Sequence, residues 1–214
     1  MRKNGVSGWI CVTGVFLCAS LNVQAQSWSF TGSMQQARVY PTATLLPNGQ
    51  VLIVGGSHRG APGIAQAELY NPTTGAFSAT GSLTTGRYGH TATLLNNGKV
   101  LIAGGSGSSG ALASAELYDP ATGTFAVTGS LSCACGRSPA LLPNGMVLFA
   151  GGFDGTNAVA SAELYDPARG TFVSTANLKV ARAGPSSTLL VNGKVLIAGG
   201  VYYTGVIPYT ALAR

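Results

Sequence analysis

Apolar residues in this chain fall into short runs broken by polar turns, and the runs recur on a single beat. "TATLL" at 42–46 is followed by Asn48-Gly49 and then by "VLIVGG" at 51–56. The arrangement returns at 91–105 around Asn97-Gly98, at 140–152 around Asn144-Gly145, and at 187–200 around Asn192-Gly193. Runs this short predict strands, and the nearly continuous second run predicts a strand covered on both faces. Asn-Gly tolerates the positive φ angles of a type I′ turn, so each pair of runs predicts a tight two-residue hairpin. The glycine pairs Gly55-Gly56, Gly104-Gly105, Gly151-Gly152 and Gly199-Gly200 end the second strand, either at a bulge or where another backbone comes close.

A third run follows each variable stretch: "AQAELYNPTTGAF" at 65–77, "ASAELYDPATGTF" at 113–125 and "ASAELYDPARGTF" at 160–172. The last two differ only at Thr122 against Arg169. Tyr70, Tyr118 and Tyr165 are spaced by 48 and 47, and the glycine pairs step by 49, 47 and 48. Markers sharing one period indicate a repeated structural unit of about 50 residues. The proline after "AELY" stops a third strand, and a Gly turn leads into a fourth that carries Phe77, Phe125 or Phe172. No stretch sustains a helical period. Four antiparallel strands per unit predict an all-β propeller.

The residues "VLIAGG … SAELYDP.TGTF" resemble the kelch repeat over nearly the whole chain after its leader. The resemblance implies a kelch-type β-propeller of four-stranded antiparallel blades, about four of them, incomplete or truncated. It implies that the Gly pair closes strand two. It also implies that the Tyr of strand three and the aromatic of strand four, where Trp is commoner, pack between blades. The chain is similar in this to bacterial secreted kelch-like proteins and, more distantly, to the propeller domain of galactose oxidase. Propellers carry many unrelated activities, so the motif bears on fold far more than on function.

Spacing also sets boundaries. Trp28 lies six residues before Met34, as Phe77 does before Leu83, Phe125 before Leu131 and Phe172 before Leu178. Residues 26–33 therefore read as a lone fourth strand that could close a ring, followed by blades at 34–82, 83–130 and 131–177 and a partial blade at 178–214. "ALAR" at 211–214 stands where "AELY" is expected. Either four blades close as a small ring, or the chain is part of a larger one. An open array would expose blade faces and an edge, and would tend to self-associate.

The N-terminus reads as an export signal. Arg2 and Lys3 precede an apolar stretch from Trp9 to Leu21, and "VQA" offers a cleavage site after Ala25. The stretch is too short to span a bilayer, so no stable membrane insertion is expected after cleavage, and the chain reads as secreted or periplasmic. Without the leader, 10 Lys and Arg face 6 Asp and Glu. The basic residues are scattered, which argues against nucleic acid as a partner. The mature chain keeps only Cys133 and Cys135. Two cysteines are too few for a disulfide framework, and a bridge across i and i+2 would be strained. The pair reads first as a local feature of the third unit and second as a small bridge in an oxidising compartment.

Glu68, Glu116 and Glu163 share one place in strand three, where neighbouring blades would bury them, and a buried charge needs a partner. Arg38, Arg87 and Arg182 recur seven residues before the "LL" pair and are the expected ion-pair partners. Arg137 is displaced, because the third unit lacks one residue between Leu131 and Leu141. Recurrence in every unit points to structure rather than to a catalytic acid. The stretch Gly105–Gly110 fits GxGxxG but has no following helix to hold a pyrophosphate, and reads as a flexible loop. "FDGTN" at 153–157 lacks the further carboxylates that calcium requires and reads as a turn.

Antiparallel order sends the loops between strands two and three, and between strand four and the next strand one, to a single face. There the copies disagree: "SHRGAPGIAQ", "SGSSGALAS", "FDGTNAVAS", "VYYTGVIPYT". Loops on a rigid scaffold are where binding concentrates. The binding-face candidates are His58, Arg59, Tyr88, His90, Phe153, Asp154, Tyr202 and Tyr203, with Cys133 and Cys135 nearby. Aromatics with a few polar groups suit a protein or glycan ligand. The rival reading comes through the resemblance. Copper-radical oxidases on such propellers hold copper with two His and two Tyr, one Tyr cross-linked to Cys. Here His58 and His90 fall in different units at different local positions. No Ser-His-Asp set or paired carboxylates stand out. The sequence thus reads as an exported, non-catalytic binding module without a cofactor or metal.

Overall fold

The computed structural model describes residues 30–58, 62–134 and 139–201. The leader at 1–25 and Trp28, Arg59, Cys135, Arg137, Tyr202 and Tyr203 lie outside them. The chain divides into Met1–Phe30 and Thr31–Arg214, and every described strand belongs to the second unit.

The first sheet runs β1 (Thr42–Leu45), β2 (Val51–Val54), β3 (Gln66–Asn71) and β4 (Ala76–Ser82), each antiparallel to the next. The second repeat begins with β5 (Thr91–Leu94) and β6 (Val100–Ala103), then a separate small hairpin of β7 (Ser106–Gly107) and β8 (Gly110–Ala111). It ends with β9 (Ala115–Asp119) and β10 (Thr124–Val127), so that β5-β6-β9-β10 form its sheet. The third sheet runs β11 (Pro139–Leu141), β12 (Val147–Phe153), β13 (Ala158–Asp166) and β14 (Thr171–Thr175). A hairpin of β15 (Ser186–Leu189) and β16 (Val195–Ala198) opens the fourth. No helix occurs among the described residues, and none there could cross a membrane. The first strands pack in succession, β1 on β5, β5 on β11 and β11 on β15. The succession is not closed among the described residues, which fits an incomplete propeller of four-stranded blades.

Two local expectations are corrected. The Asn-Gly hairpins are not type I′, which needs positive φ at both central residues. Only the glycine of each pair is left-handed, as at Gly49 (φ 83°). Leu46 instead accepts from Gly49 N at 2.9 Å and donates to the Gln50 carbonyl at 2.8 Å, the pattern of a three-residue loop whose last residue is left-handed. Asn48 Oδ1 accepts from Gln50 N at 3.1 Å, which is why asparagine serves there. The stretch Gly105–Gly110, expected as a flexible loop, forms the β7–β8 hairpin.

Two seams join neighbouring blades, and both are written in the repeat. At the outer seam, Thr80 Oγ1 meets Tyr118 OH at 2.9 Å and Gly81 N donates to the Gly123 carbonyl at 2.9 Å. Thr128 with Tyr165 (2.9 Å) and Gly129 with Gly170 (2.8 Å) repeat this one blade on, and Thr31 with Tyr70 (2.8 Å) and Gly32 with Gly75 (2.8 Å) make the same contacts against the first blade. Within each blade the tyrosine ring lies on its cross-strand phenylalanine: Tyr70–Phe77 and Tyr118–Phe125 at 4.8 Å, Tyr165–Phe172 at 4.9 Å. At the inner seam the Gly pair receives the next blade's backbone. Gly56 N donates to the Arg87 carbonyl at 2.9 Å and Gly152 N to that of Arg182 at 2.7 Å. A Cβ on Gly55 would stand 2.5 Å from the Arg87 oxygen, so close approach is what the glycine provides. Between the seams lie two cores. Leu46, Leu52 and Val54 of the first blade pack with Val100, Ile102 and Tyr118 of the second. Leu95, Leu101 and Ala103 of the second pack with Val147, Phe149 and Tyr165 of the third.

Candidate functional site

The two ends of the array differ in what their polar groups are doing. At the end formed by the β1–β2 and β3–β4 type turns, each asparagine or aspartate serves its own turn. Asn97, Asn144 and Asn192 Oδ1 accept from Lys99, Met146 and Lys194 N, each at 3.1 Å. Asp119 Oδ1 accepts from Ala121 N at 2.9 Å and its Oδ2 pairs with Lys99 Nζ at 3.0 Å. Asp166 Oδ1 accepts from Ala168 N at 2.9 Å and its Oδ2 pairs with Arg169 at 2.6 Å. Those cations, ahead of the turn amides, hold both carboxyls below their ordinary range. Grooves of about 340 and 310 Å³ lie here between successive Asn-Gly turns. They recur from blade to blade between turns whose Asn97, Asn144, Asp119 and Asp166 oxygens are already occupied, so they follow from the repeat.

The chain has six carboxylates, and each has a structural task. Glu68 Oε1 pairs with Arg38 Nη2 at 2.5 Å and its Oε2 accepts from Gln35 N at 2.8 Å. Glu116 Oε1 pairs with Arg87 Nη2 at 3.1 Å and its Oε2 accepts from Thr84 N at 2.8 Å. Glu163 accepts from Ser132 N at 3.1 Å, in the register of Gln35 N and Thr84 N in the first two blades, and from Ser132 Oγ at 2.8 Å. Arg182 donates to its own Gly199 carbonyl at 2.6 Å. Asp154 Oδ1 accepts from Asn157 N at 2.7 Å and Thr156 N at 2.8 Å, which hold its carboxyl below the usual range and make "FDGTN" a turn.

The opposite end gathers the divergent loops. His58 is half-buried beyond Ser57, whose backbone bridges Val39. Tyr88 is half-buried and bridges Ser106. Phe153 ends β12 opposite Ala158, half-buried, and Asp154 beyond it is exposed. His90 corrects the expectation that it faces a ligand: it is 5% exposed, inside the seam of the first two blades. Its Nε2 lies 2.8 Å from Thr42 Oγ1, while Nδ1, beside the Arg87 carbonyl, makes no aligned hydrogen bond. Burial first, and the Arg87 charge second, push its pKa down to about 4. Cys133 also departs from the first expectation, since it is disulfide-bonded. Its partner lies outside the described residues. No group of three His, Cys, Asp or Glu is arranged to hold a metal ion among the described residues.

One residue of this end escaped the sequence reading. Tyr40 is 72% exposed at the entry to β1, beside Val39 at 53%. It alone among the described residues other than glycine has a positive φ, 54°. The signal was present in the repeat: two residues after the arginine the second and fourth blades carry Gly89 (φ 60°) and Gly184 (φ 64°).

A family model of the kelch motif matches residues 86–132, from just before Arg87 through β10 to Ser132. No curated protein matches the chain.

Proposed function

We propose that this kelch-repeat chain is an exported, non-catalytic binding module. Its partner, a protein or a carbohydrate, docks on the end that carries the loops between β2 and β3, between β4 and β5, and their equivalents. The observation that carries the reading is the commitment of all six carboxylates to turns, seams and buried pairs. General acid–base catalysis by a carboxylate, and hydrolysis by paired carboxylates, need one free to exchange a proton with substrate. Among the described residues, what remains at the divergent end includes the aromatic and apolar side chains Val39, Tyr40, Tyr88 and Phe153 on a rigid scaffold, which suits recognition. Export is supported by the leader and by the disulfide at Cys133, since such bonds persist in oxidising compartments.

The test is a comparison of the two ends. His58→Ala with Tyr88→Ala alters the divergent end, and Asn97→Ala with Asn144→Ala alters the turn end. Binding to a glycan array, or to proteins of the culture supernatant, should fall only with the first pair. Loss confined to the second pair would overturn the assignment of the face.

A further inference from the structure

We propose that Tyr40 is the ligand-stacking residue of this face and that its ligand is the ring of a neutral sugar. The inference rests on the binding-module reading and adds to it a residue and a substrate class.

The position before β1 must turn left-handed in each blade where it is described: φ is 54° at Tyr40, 60° at Gly89 and 64° at Gly184. The repeat's own solution is glycine, which reaches that region without a Cβ clash. A bulky side chain there is a genuine outlier, and Tyr40 also precedes Pro41, whose ring narrows its choices further. Burial does not explain the tyrosine, because it is 72% exposed and packs into neither core. A strained, exposed aromatic on the divergent end therefore works against folding without a packing return, as strained residues at functional sites do. The described residues of this end select the ligand, and Gly89 N donating to the Tyr40 carbonyl and the Val39–Ser57 bridge set Tyr88 and His58 next to the same strand entry. Val39 is exposed beside it, Tyr88 and His58 are half-buried, and the described carboxylate of this end, Asp154, is taken up by its own turn. One phenol ring with an apolar flank matches the C–H face of a single pyranose. A stable protein interface needs about 800 Å² from each partner, far more than one aromatic side chain supplies.

Affinity electrophoresis of the purified chain through gels containing a β-glucan, a galactomannan or a xylan tests this, with Tyr40→Gly, Tyr40→Ala and Tyr40→Phe alongside. At least one polysaccharide should retard the parent chain. Tyr40→Phe should keep that retardation, and Tyr40→Gly and Tyr40→Ala should lose it at least about tenfold, the scale of one lost stacking contact. Thermal unfolding supplies the second readout. Tyr40→Gly should melt no lower than the parent and about 2–4 °C above Tyr40→Ala, because only glycine relieves the backbone. Retardation that survives Tyr40→Gly refutes the inference alone, as does a Tm several degrees lower in Tyr40→Gly. A parent chain retarded by no neutral polysaccharide overturns the sugar assignment. If it also binds no exported protein, the reading beneath it falls too.

Discussion

Glu116→Gln removes the counter-charge from the most enclosed ion pair among the described residues. Arg87 is fully buried. Its guanidinium donates to the Gly104 carbonyl at 3.0 Å, the Ser114 carbonyl at 2.8 Å and Ser114 Oγ at 3.0 Å, as well as to Glu116 Oε1 at 3.1 Å. Burial pushes its pKa down, and Glu116 opposes that push. Glutamine keeps the shape and an acceptor for Thr84 N but turns its NH2 toward the Arg87 and Thr85 donors, so the counter-charge and one acceptor disappear together. Removing one partner of a buried pair costs about 3–5 kcal/mol, and at about 2–4 °C per kcal/mol for a chain of this size Tm should fall by about 6–20 °C. Glu163→Gln is the internal control. Among the described residues its partners are Ser132 N and Oγ, so the loss expected from them is about 1 kcal/mol, the value of one hydrogen bond. Replacing both partners, Arg87→Met with Glu116→Leu, should recover much of the single-variant loss, since the desolvation cost goes with the charges. Differential scanning calorimetry reads all three. Equal shifts in Glu116→Gln and Glu163→Gln, or a double variant as unstable as the single one, would refute the claim that the pair is held by charge.

His90, with a folded pKa near 4 against an ordinary 6.5, takes up its proton more readily in the unfolded chain. Its contribution is complete above pH 6.5 and is lost as the pH falls toward 4, by about 3 kcal/mol in total. Urea unfolding between pH 6.5 and 4.5, above the range where the depressed aspartates protonate, should show the decline, and His90→Pro, the residue found at Pro41 and Pro185, should flatten it. Gly81→Ala sets a Cβ 2.4 Å from the Gly123 oxygen and should cost about 1–3 kcal/mol by opening the outer seam, measured by the same unfolding. N-terminal sequencing of the exported chain should begin at Gln26.

What the sequence revealed depended on whether the repeat held. Strand order, the Tyr–Phe pairs and the Gly-pair approach were legible because each blade states them again. The Arg–Glu pairs were legible in the first two blades for the same reason. In the third, a missing residue shifts Arg137, which lies outside the described residues, while the amide contact of Ser132 with Glu163 keeps the register of Gln35 and Thr84. Turn type was not legible, because Asn-Gly suits either a type I′ pair or a three-residue loop ending in a left-handed glycine, and the flanking backbone decides. His90 was misread because its imidazole suggested chemistry. Its alignment with Pro41 and Pro185 already marked a seam position. Tyr40 was missed because an unremarkable tyrosine stands out only against the glycines of its column.

The single difference between the two thirteen-residue copies follows from a second difference elsewhere. In the second blade Lys99, just after the Asn-Gly turn, reaches across to Asp119 at 3.0 Å. The third blade has Met146 at the place of Lys99, so Asp166 loses that cation. Arg169 stands where the earlier copy has Thr122 and supplies the charge from within the same turn, at 2.6 Å. Thr122 has no such task and instead bonds Thr124 Oγ1 at 2.7 Å. The aspartate is the fixed element, since its other oxygen accepts the turn amide in both blades, and the cation can come from either side. Exchange therefore predicts rescue. Lys99→Met should raise the Asp119 pKa, read by carboxyl NMR titration, and adding Thr122→Arg should lower it again. An Asp119 titration indifferent to both substitutions would mean that the turn amides alone set it and that the two copies differ for no physical reason.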